Sequence, residues 1–281
     1  MVRLATVTVD NSPASETVAA RHSASGWRRL RSTDLSALLA AGDSPQVDGE
    51  VLPNARPVLP LPRPGKVICC GLNYAEHIAE TGRESPQYPT LFAKYADTLV
   101  GPEDDIVVPR SVQVDWEAEL AVVVGDHLRR ADRNAARTAI AGYTVANDIS
   151  IREWQYRTGQ WFQGKAWDRT TPIGPVLVTP GDADPETGLE ISCRVNGEVM
   201  QHASTKTLVF DAPALLAYVS TFTVLRPGDI VLTGTPGGVG VARDPQLFLG
   251  DGDVVETEIA GIGTLRNTIR WAHEPNNARE E

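Results

Sequence analysis

The chain is written in short apolar runs separated by turn residues. Beyond residue 100 these runs are VQVDWEAELAVVVG, GYTVAND, GPVLVTP, ISCRVNGEVMQ, PGDIVLTGTPGGVG and GDVVETEIAGIGTLRNTI. Short apolar or alternating runs bounded by Gly, Pro, Asn and Asp predict strands. Helical spacing is confined to a few stretches, chiefly residues 134–141 and 212–220, so the predicted class is strand-rich α+β with a few covering helices. Asn196-Gly197 between two runs predicts a tight hairpin. KVICCG reads as a short buried strand ending at Gly71, and NYAEHIAETG as a short helix with Gly82 as its cap. Upstream, residues 4–9 alternate as a strand does, and STDLSALLAAGD carries a capping signal at residues 32–34 before a short apolar helix. Between the two parts lies VLPNARPVLPLPRPGK, with prolines at 53, 57, 60, 62 and 64. Proline at that density excludes a helix or a central strand and predicts an extended linker. The expected organisation is a small N-terminal domain (1–52), a linker (53–65) and a large domain (66–281).

Composition narrows the function. The 281 residues are 42% hydrophobic and 22% charged, which suits a packed globular protein rather than a disordered one. The formal net charge of −10 disfavours nucleic acid and anionic membranes as partners. Cys69, Cys70 and Cys193 form no Cys-x-x-Cys pair, so neither a disulfide framework nor a thiolate zinc site is suggested. The start, MVRLATVTVDNS, lacks the apolar core of a signal peptide, and no run reaches membrane-spanning length, so a cytoplasmic location is expected.

The chemistry is concentrated in VDWEAELAVVV. In a strand, Asp115, Glu117 and Glu119 share one face, with neighbours roughly 7 Å apart. Glu is a poor strand former, and the run continues as Leu120 to Val124 without a polar residue. Burying a bare carboxylate is costly, so a counter-charge is required. Spacing alone leaves two alternatives, a metal ion or a salt-bridged or solvated strand face. A second apolar run ends on Asn147-Asp148 and is followed by IREWQYR, with Arg152 and Gln155. Carboxylates from two strands form an oxygen-rich set that suits Mg²⁺, Mn²⁺ or Ca²⁺ better than zinc.

Six motifs then occur in order: GLNYAEHIAE, DWEAELAVVVG, GYTVANDIS with REWQ, GKAWD with TTPIGP, NGEVMQ and LRPGDIVLTGTPGGVG. Together they resemble the fumarylacetoacetate hydrolase family over roughly residues 66 to 270. The resemblance implies a multilayer β-sandwich roll and assigns Glu117, Glu119 and Asp148 as ligands of Mg²⁺ or Mn²⁺, with Asp115 behind them as support. It makes His77 and Glu80 a lid pair that orients and deprotonates water, where the isolated pair would read as an exposed helical contact. It places Lys165 at the substrate's carboxylate or oxyanion, Arg152 and Gln155 at a carboxylate, and Thr235 of GTPGGVG against the bound acid. That glycine-rich turn lacks the Lys-Ser/Thr end of a nucleotide-binding loop. Arg169 stands where many members carry a small hydroxyl residue. It is expected either to read a second substrate carboxylate or to point into solvent.

The activity implied is metal-dependent hydrolysis of a carbon–carbon bond in an acylpyruvate or fumarylpyruvate, through enolate chemistry at the metal. The alternative is decarboxylation of oxaloacetate-like acids or isomerisation of hydroxymuconate-type diacids. A homodimer and a small 2-oxo acid substrate are the expected partners.

Overall fold

The computed structural model describes residues 1–10, 16–42, 49–80 and 84–272, without the side chains of His77, Ala79 and Glu80. Its centre is the run AELAVVV, which forms the strand Ala118–Val124 with every residue buried. Such a strand needs neighbours on both edges as well as both faces. Ile140–Asn147 pairs antiparallel on one edge, with Ala118 opposite Asn147 and Leu120 opposite Val145, and Ile230–Leu232 pairs antiparallel on the other. The sheet continues past Ile230–Leu232 through Val67–Gly71 to Thr90–Lys94. On the opposite side it continues through Thr171–Val178, Arg3–Thr8, Thr17–Ser23, Gly26–Arg29 and Val51–Leu52. A second sheet runs Glu198–Ser204, Glu190–Val195, Val254–Ile259, Gly263–Trp271 and Ile106–Val108, and it lies against the central strands of the first. The strand-rich layered class expected from the sequence is the one that forms.

Local signals act where they stand. Asn196 and Gly197 both take positive φ, at 51° and 84°, as a two-residue hairpin turn requires. Asp34 caps the helix Leu35–Ala41 by accepting from the Ala37 N–H, and Gly42 ends it in the left-handed region. Asp132 and Asp211 cap Arg133–Thr138 and Ala212–Phe222 in the same way. The helix Ala75–Glu80 forms, while Gly82, expected as its cap, lies outside the described residues.

The proline-rich stretch is extended and packed. Arg56–Pro57 pairs with Arg3–Thr8, the Thr6 hydroxyl donates to the Pro60 carbonyl at 2.6 Å, and Leu61 is fully buried. Leu4, Leu35, Leu38 and Leu61 share one apolar cluster with Ala121, Ile173 and Leu177 of the central strands. Thr171–Val178 is also edge-bonded to Arg3–Thr8, so the N-terminal strands extend the large sheet.

One expectation needs correction. The acidic stretch is not one strand: Val114–Asp115 pairs with Ser150–Ile151, the ladder breaks at Trp116 and Glu117, and it resumes at Ala118. The break is occupied by side chains that replace the missing ladder bonds, as described below.

Because the apolar cluster is shared, Leu61→Ala should lower the stability of the whole chain by about 2–5 kcal/mol. Circular dichroism and tryptophan fluorescence should then report one coincident urea transition. An early, separate transition for the N-terminal strands would contradict a common core.

Candidate active site

Glu117, Glu119 and Asp148 come together as the sequence suggests. One carboxylate oxygen from each lies within 4.8 Å of the others, and all three residues are buried. Glu119 is the second residue of the central strand. Glu117 sits in the break before it, and Asp148 follows the end of the partner strand Ile140–Asn147. Two carboxamides hold the break open. The Glu117 N–H donates to Asn147 Oδ1 at 2.9 Å, and the Ala118 N–H to Gln201 Oε1 at 3.0 Å. The Asp148 N–H donates to the Glu117 carbonyl at 2.8 Å, which ties the two ligand segments directly. Asn147 also donates to Thr257 Oγ1, and Gln201 to Thr235 Oγ1, each at 2.8 Å.

Four buried carboxylates face three buried cations. Lys165 Nζ lies 2.7 Å from both Glu117 Oε2 and Asp148 Oδ2. Lys94 Nζ pairs with Asp148 Oδ1 and donates to the Ile149 carbonyl at 3.3 Å. Arg152 bridges Asp115 Oδ2 at 2.7 Å and Glu117 Oε1 at 2.8 Å. Asp115 also accepts the Gly240 and Val241 N–H groups, so it is fully engaged as an anchor for Arg152. One negative charge is left in excess. Among the described residues Glu119 forms no ion pair and accepts only the Gly234 N–H, at 2.7 Å. Burial, with Asp148 and Glu117 nearby, pushes the Glu119 carboxyl well above its ordinary value despite Lys165 and the Gly234 N–H. Lys165 is held protonated: burial opposes the charge, but Asp148 and Glu117 outweigh it and raise its pKa. The same opposition, with Glu117 and Asp115 prevailing over burial, raises Arg152.

This donor set fits a hard divalent cation. It is all carboxylate oxygen, it converges, and its charge excess is centred on the acid that lacks a cation. Glu117, Glu119 and Asp148 are the residues that would hold such an ion.

Glu117 and Glu119 open into a cavity of about 370 Å³ that also presents Lys165, Arg152, Gln155 and Thr235. Two short helices, Arg152–Gln155 and Phe162–Lys165, bring the cations in. Their contact requires Gly164, since a Cβ there would stand 2.5 Å from the Ile151 carbonyl and the Gln155 nitrogen. Arg152 Nη1 donates to Gln155 Oε1 at 2.8 Å. Arg152 Nη2 is buried without a hydrogen-bond partner among the described residues. Cys70 lines the same cavity, but burial and Glu119 push its thiol up to about 12, so it is no thiolate nucleophile at neutral pH.

Three expected residues stand elsewhere or outside the described side chains. Arg169 is exposed, pairs with Asp104 at 3.3 Å and does not line the cavity, so its surface alternative is the one the structure matches. The side chains of His77 and Glu80 lie outside the described residues, although their helix begins beside Asn73 and Tyr74. Sequence reasoning missed Lys94, Asn147 as a bridge and Gln201. Lys94 alternates with the cavity-lining Phe92, but one lysine closing a short strand also reads as an edge guard. Gln201 closes a quoted motif, NGEVMQ, without any local sign of its partner.

The family model of the C-terminal part of fumarylacetoacetate hydrolase matches residues 66–270. The chain belongs to the fumarylacetoacetate hydrolase family. Oxaloacetate tautomerase Fahd2a, a mitochondrial protein of Rattus norvegicus, is 48% identical over 213 residues, which cover 75% of this chain and 68% of that one. Among solved family structures, fumarylacetoacetate hydrolase from psychrophilic Exiguobacterium antarcticum aligns with a TM-score of 0.86 at 32% identity, over 97% of this chain and 100% of that one. The 5-carboxymethyl-2-hydroxymuconate delta-isomerase of Mycobacterium smegmatis aligns with a TM-score of 0.80 at 33% identity, with the same coverage. These relatives are thus named for more than one reaction. No helix among the described residues is long and apolar enough to cross a membrane.

The raised Glu119 carboxyl sets a sign for pH. The folded metal-free protein holds a proton there more tightly than the unfolded chain, which releases it near the ordinary value of 4.5. Its stability should therefore fall as pH rises from about 4.5 through the raised folded value. Thermal melts in a chelator should show this slope, and Mg²⁺ should offset it. Glu119→Gln should lose both the slope and the Mg²⁺ effect. A slope unchanged in Glu119→Gln would place the excess charge on another group.

Proposed function

We propose that this protein is a divalent-metal-dependent tautomerase of a small 2-oxo dicarboxylic acid of the oxaloacetate kind. The observation that carries the reading is a cavity lined by Glu117, Glu119, the protonated Lys165 and Arg152, whose Nη2 is buried without a hydrogen-bond partner among the described residues. Keto–enol exchange needs an anchored carboxylate, a fixed positive group beside the enolate oxygen and a proton carrier at carbon. The relatives named as oxaloacetate tautomerases, and the isomerase among the solved structures, support this over hydrolysis.

The residues divide the work by charge. Arg152, anchored by Asp115 and steered by Gln155, has one N–H edge free for a substrate carboxylate. Lys165 cannot serve as a base, because its proton is held by two carboxylates. Its ammonium instead donates toward oxygen as negative charge develops there. Thr235, fixed by Gln201, offers a hydroxyl at the cavity wall. A bound dication would polarise the 2-oxo acid and reverse the site's excess charge from one negative to one positive. The proton carrier proposed at carbon is His77 with Glu80, on the strength of the family motif. The same pair supports hydrolysis as the second reading, since it is the device that would activate water.

The test follows decay of the enol absorbance of oxaloacetate, and acetylpyruvate cleavage in parallel, with Mg²⁺ or Mn²⁺ and with chelator. Metal-dependent acceleration of enol decay is expected, lost in Glu117→Gln and Glu119→Gln. His77→Ala should keep metal affinity by calorimetry and lose about two to four orders of magnitude in rate. A metal-loaded protein that cleaves acetylpyruvate and leaves enol decay at its uncatalysed rate would overturn tautomerisation in favour of hydrolysis.

A further inference from the structure

Charged groups line only part of the cavity, and Leu72, Phe92, Trp161 and Val239 give another part of its wall an apolar surface. Trp161 stands four residues before Lys165, a spacing that puts both on one side of a helical turn, and both line the cavity. The indole is held from two directions. Phe92 meets it edge-on, with ring centroids 5.6 Å apart at 74°, and the same Phe92 ring lies 5.3 Å from Lys165 Nζ. The indole also rests on the main chain of Gly71, where a Cβ would stand 2.3 Å from Trp161 Cζ3. Gly71 closes the strand Val67–Gly71, and its missing side chain serves this contact rather than a turn. Leu72 and Val239 continue the apolar surface.

A wall seated against a strand and braced by a second ring has no room to retreat on that side. The cavity of about 370 Å³ is at the small end of ligand sites, and acids and cations line part of it. We propose that Trp161 sets substrate size: it limits the group borne on the far carbon of the 2-oxo acid to compact ones, such as a carboxylate or a methyl, and excludes a ring. This rests on the 2-oxo acid reading of the site. Phe92 acts with it as the brace that fixes the indole relative to Lys165.

Two probes separate the charged lining from the apolar wall in the Mn²⁺-loaded protein. Oxalate presents only the chelating end, and 4-phenyl-2,4-dioxobutanoate presents a 2-oxo acid end with a ring beyond it. Calorimetric Kd values are measured for wild type, Trp161→Ala and Trp161→Phe. The ratio of the phenyl ligand's Kd to that of oxalate should fall at least about tenfold in Trp161→Ala, about 1.4 kcal/mol. A smaller fall in the same direction is expected in Trp161→Phe, which decides the matter if the alanine variant does not fold. A ratio within about twofold of wild type, or one that rises, overturns the proposal; a rise would make the indole a stacking surface instead. Wild type that binds both ligands without accelerating enol decay would overturn the tautomerase and leave the wall standing. Failure to bind oxalate at all would overturn both.

Discussion

Four carboxylates kept out of water within reach of one another are the constraint to which the centre of this molecule answers. Removing one partner from a buried ion pair costs about 3–5 kcal/mol, so the arrangement stands only if each acid is met. Lys94, Arg152 and Lys165 meet three charges, and main-chain N–H groups of Gly234, Gly240 and Val241 serve Glu119 and Asp115. The remaining excess, on Glu119, is what makes the site receptive to a cation. A surface strand would spend none of this effort. The site requires a central strand closed on both edges and both faces, and the run from Ala118 to Val124 provides it.

Much of this was legible in the chain. The acidic face running into an unbroken apolar run marked Asp115, Glu117 and Glu119 as needing a counter-charge but left a metal ion and a salt-bridged or solvated face open; the family motifs singled out Glu117 and Glu119. Asp148 was legible from its place at the end of a second apolar run. Turn and cap chemistry at Asn196-Gly197, Asp34 and Asp211 was readable because it is local: a backbone conformation or a hydrogen bond within three residues decides it. Pairing across the chain was not. That Arg3–Thr8 bonds to Thr171–Val178, or that Lys94 meets Asp148, depends on strand order, which no local pattern encodes. The interruption at Trp116–Glu117 was hidden for the same reason, since the carboxamides that stabilise it come from Asn147 and Gln201. Arg169 shows the opposite error: proximity to Lys165 in sequence suggested proximity in the site, but the chain turns at Arg169, where φ is 53°, and sends the side chain to Asp104.

The paired short helices translate sequence economy into geometry. In fourteen residues the chain supplies Arg152 and Lys165 from one small contact made possible by Gly164. Cation placement thus depends on backbone approach rather than on long flexible side chains reaching inward, which lowers the entropy lost when a ligand is gripped.

The Asn147 carboxamide has a wider meaning. Its oxygen takes the Glu117 N–H, just before the central strand of the large sheet, and its nitrogen gives to Thr257 on Val254–Ile259 in the small one. One planar group therefore gauges the spacing between two layers and passes it to an acid of the site. The acidic centre is not a loop that could be lifted onto another scaffold. Its portability ends at the sheet interface, and any host would have to reproduce both layers at the same separation before the three acids could converge.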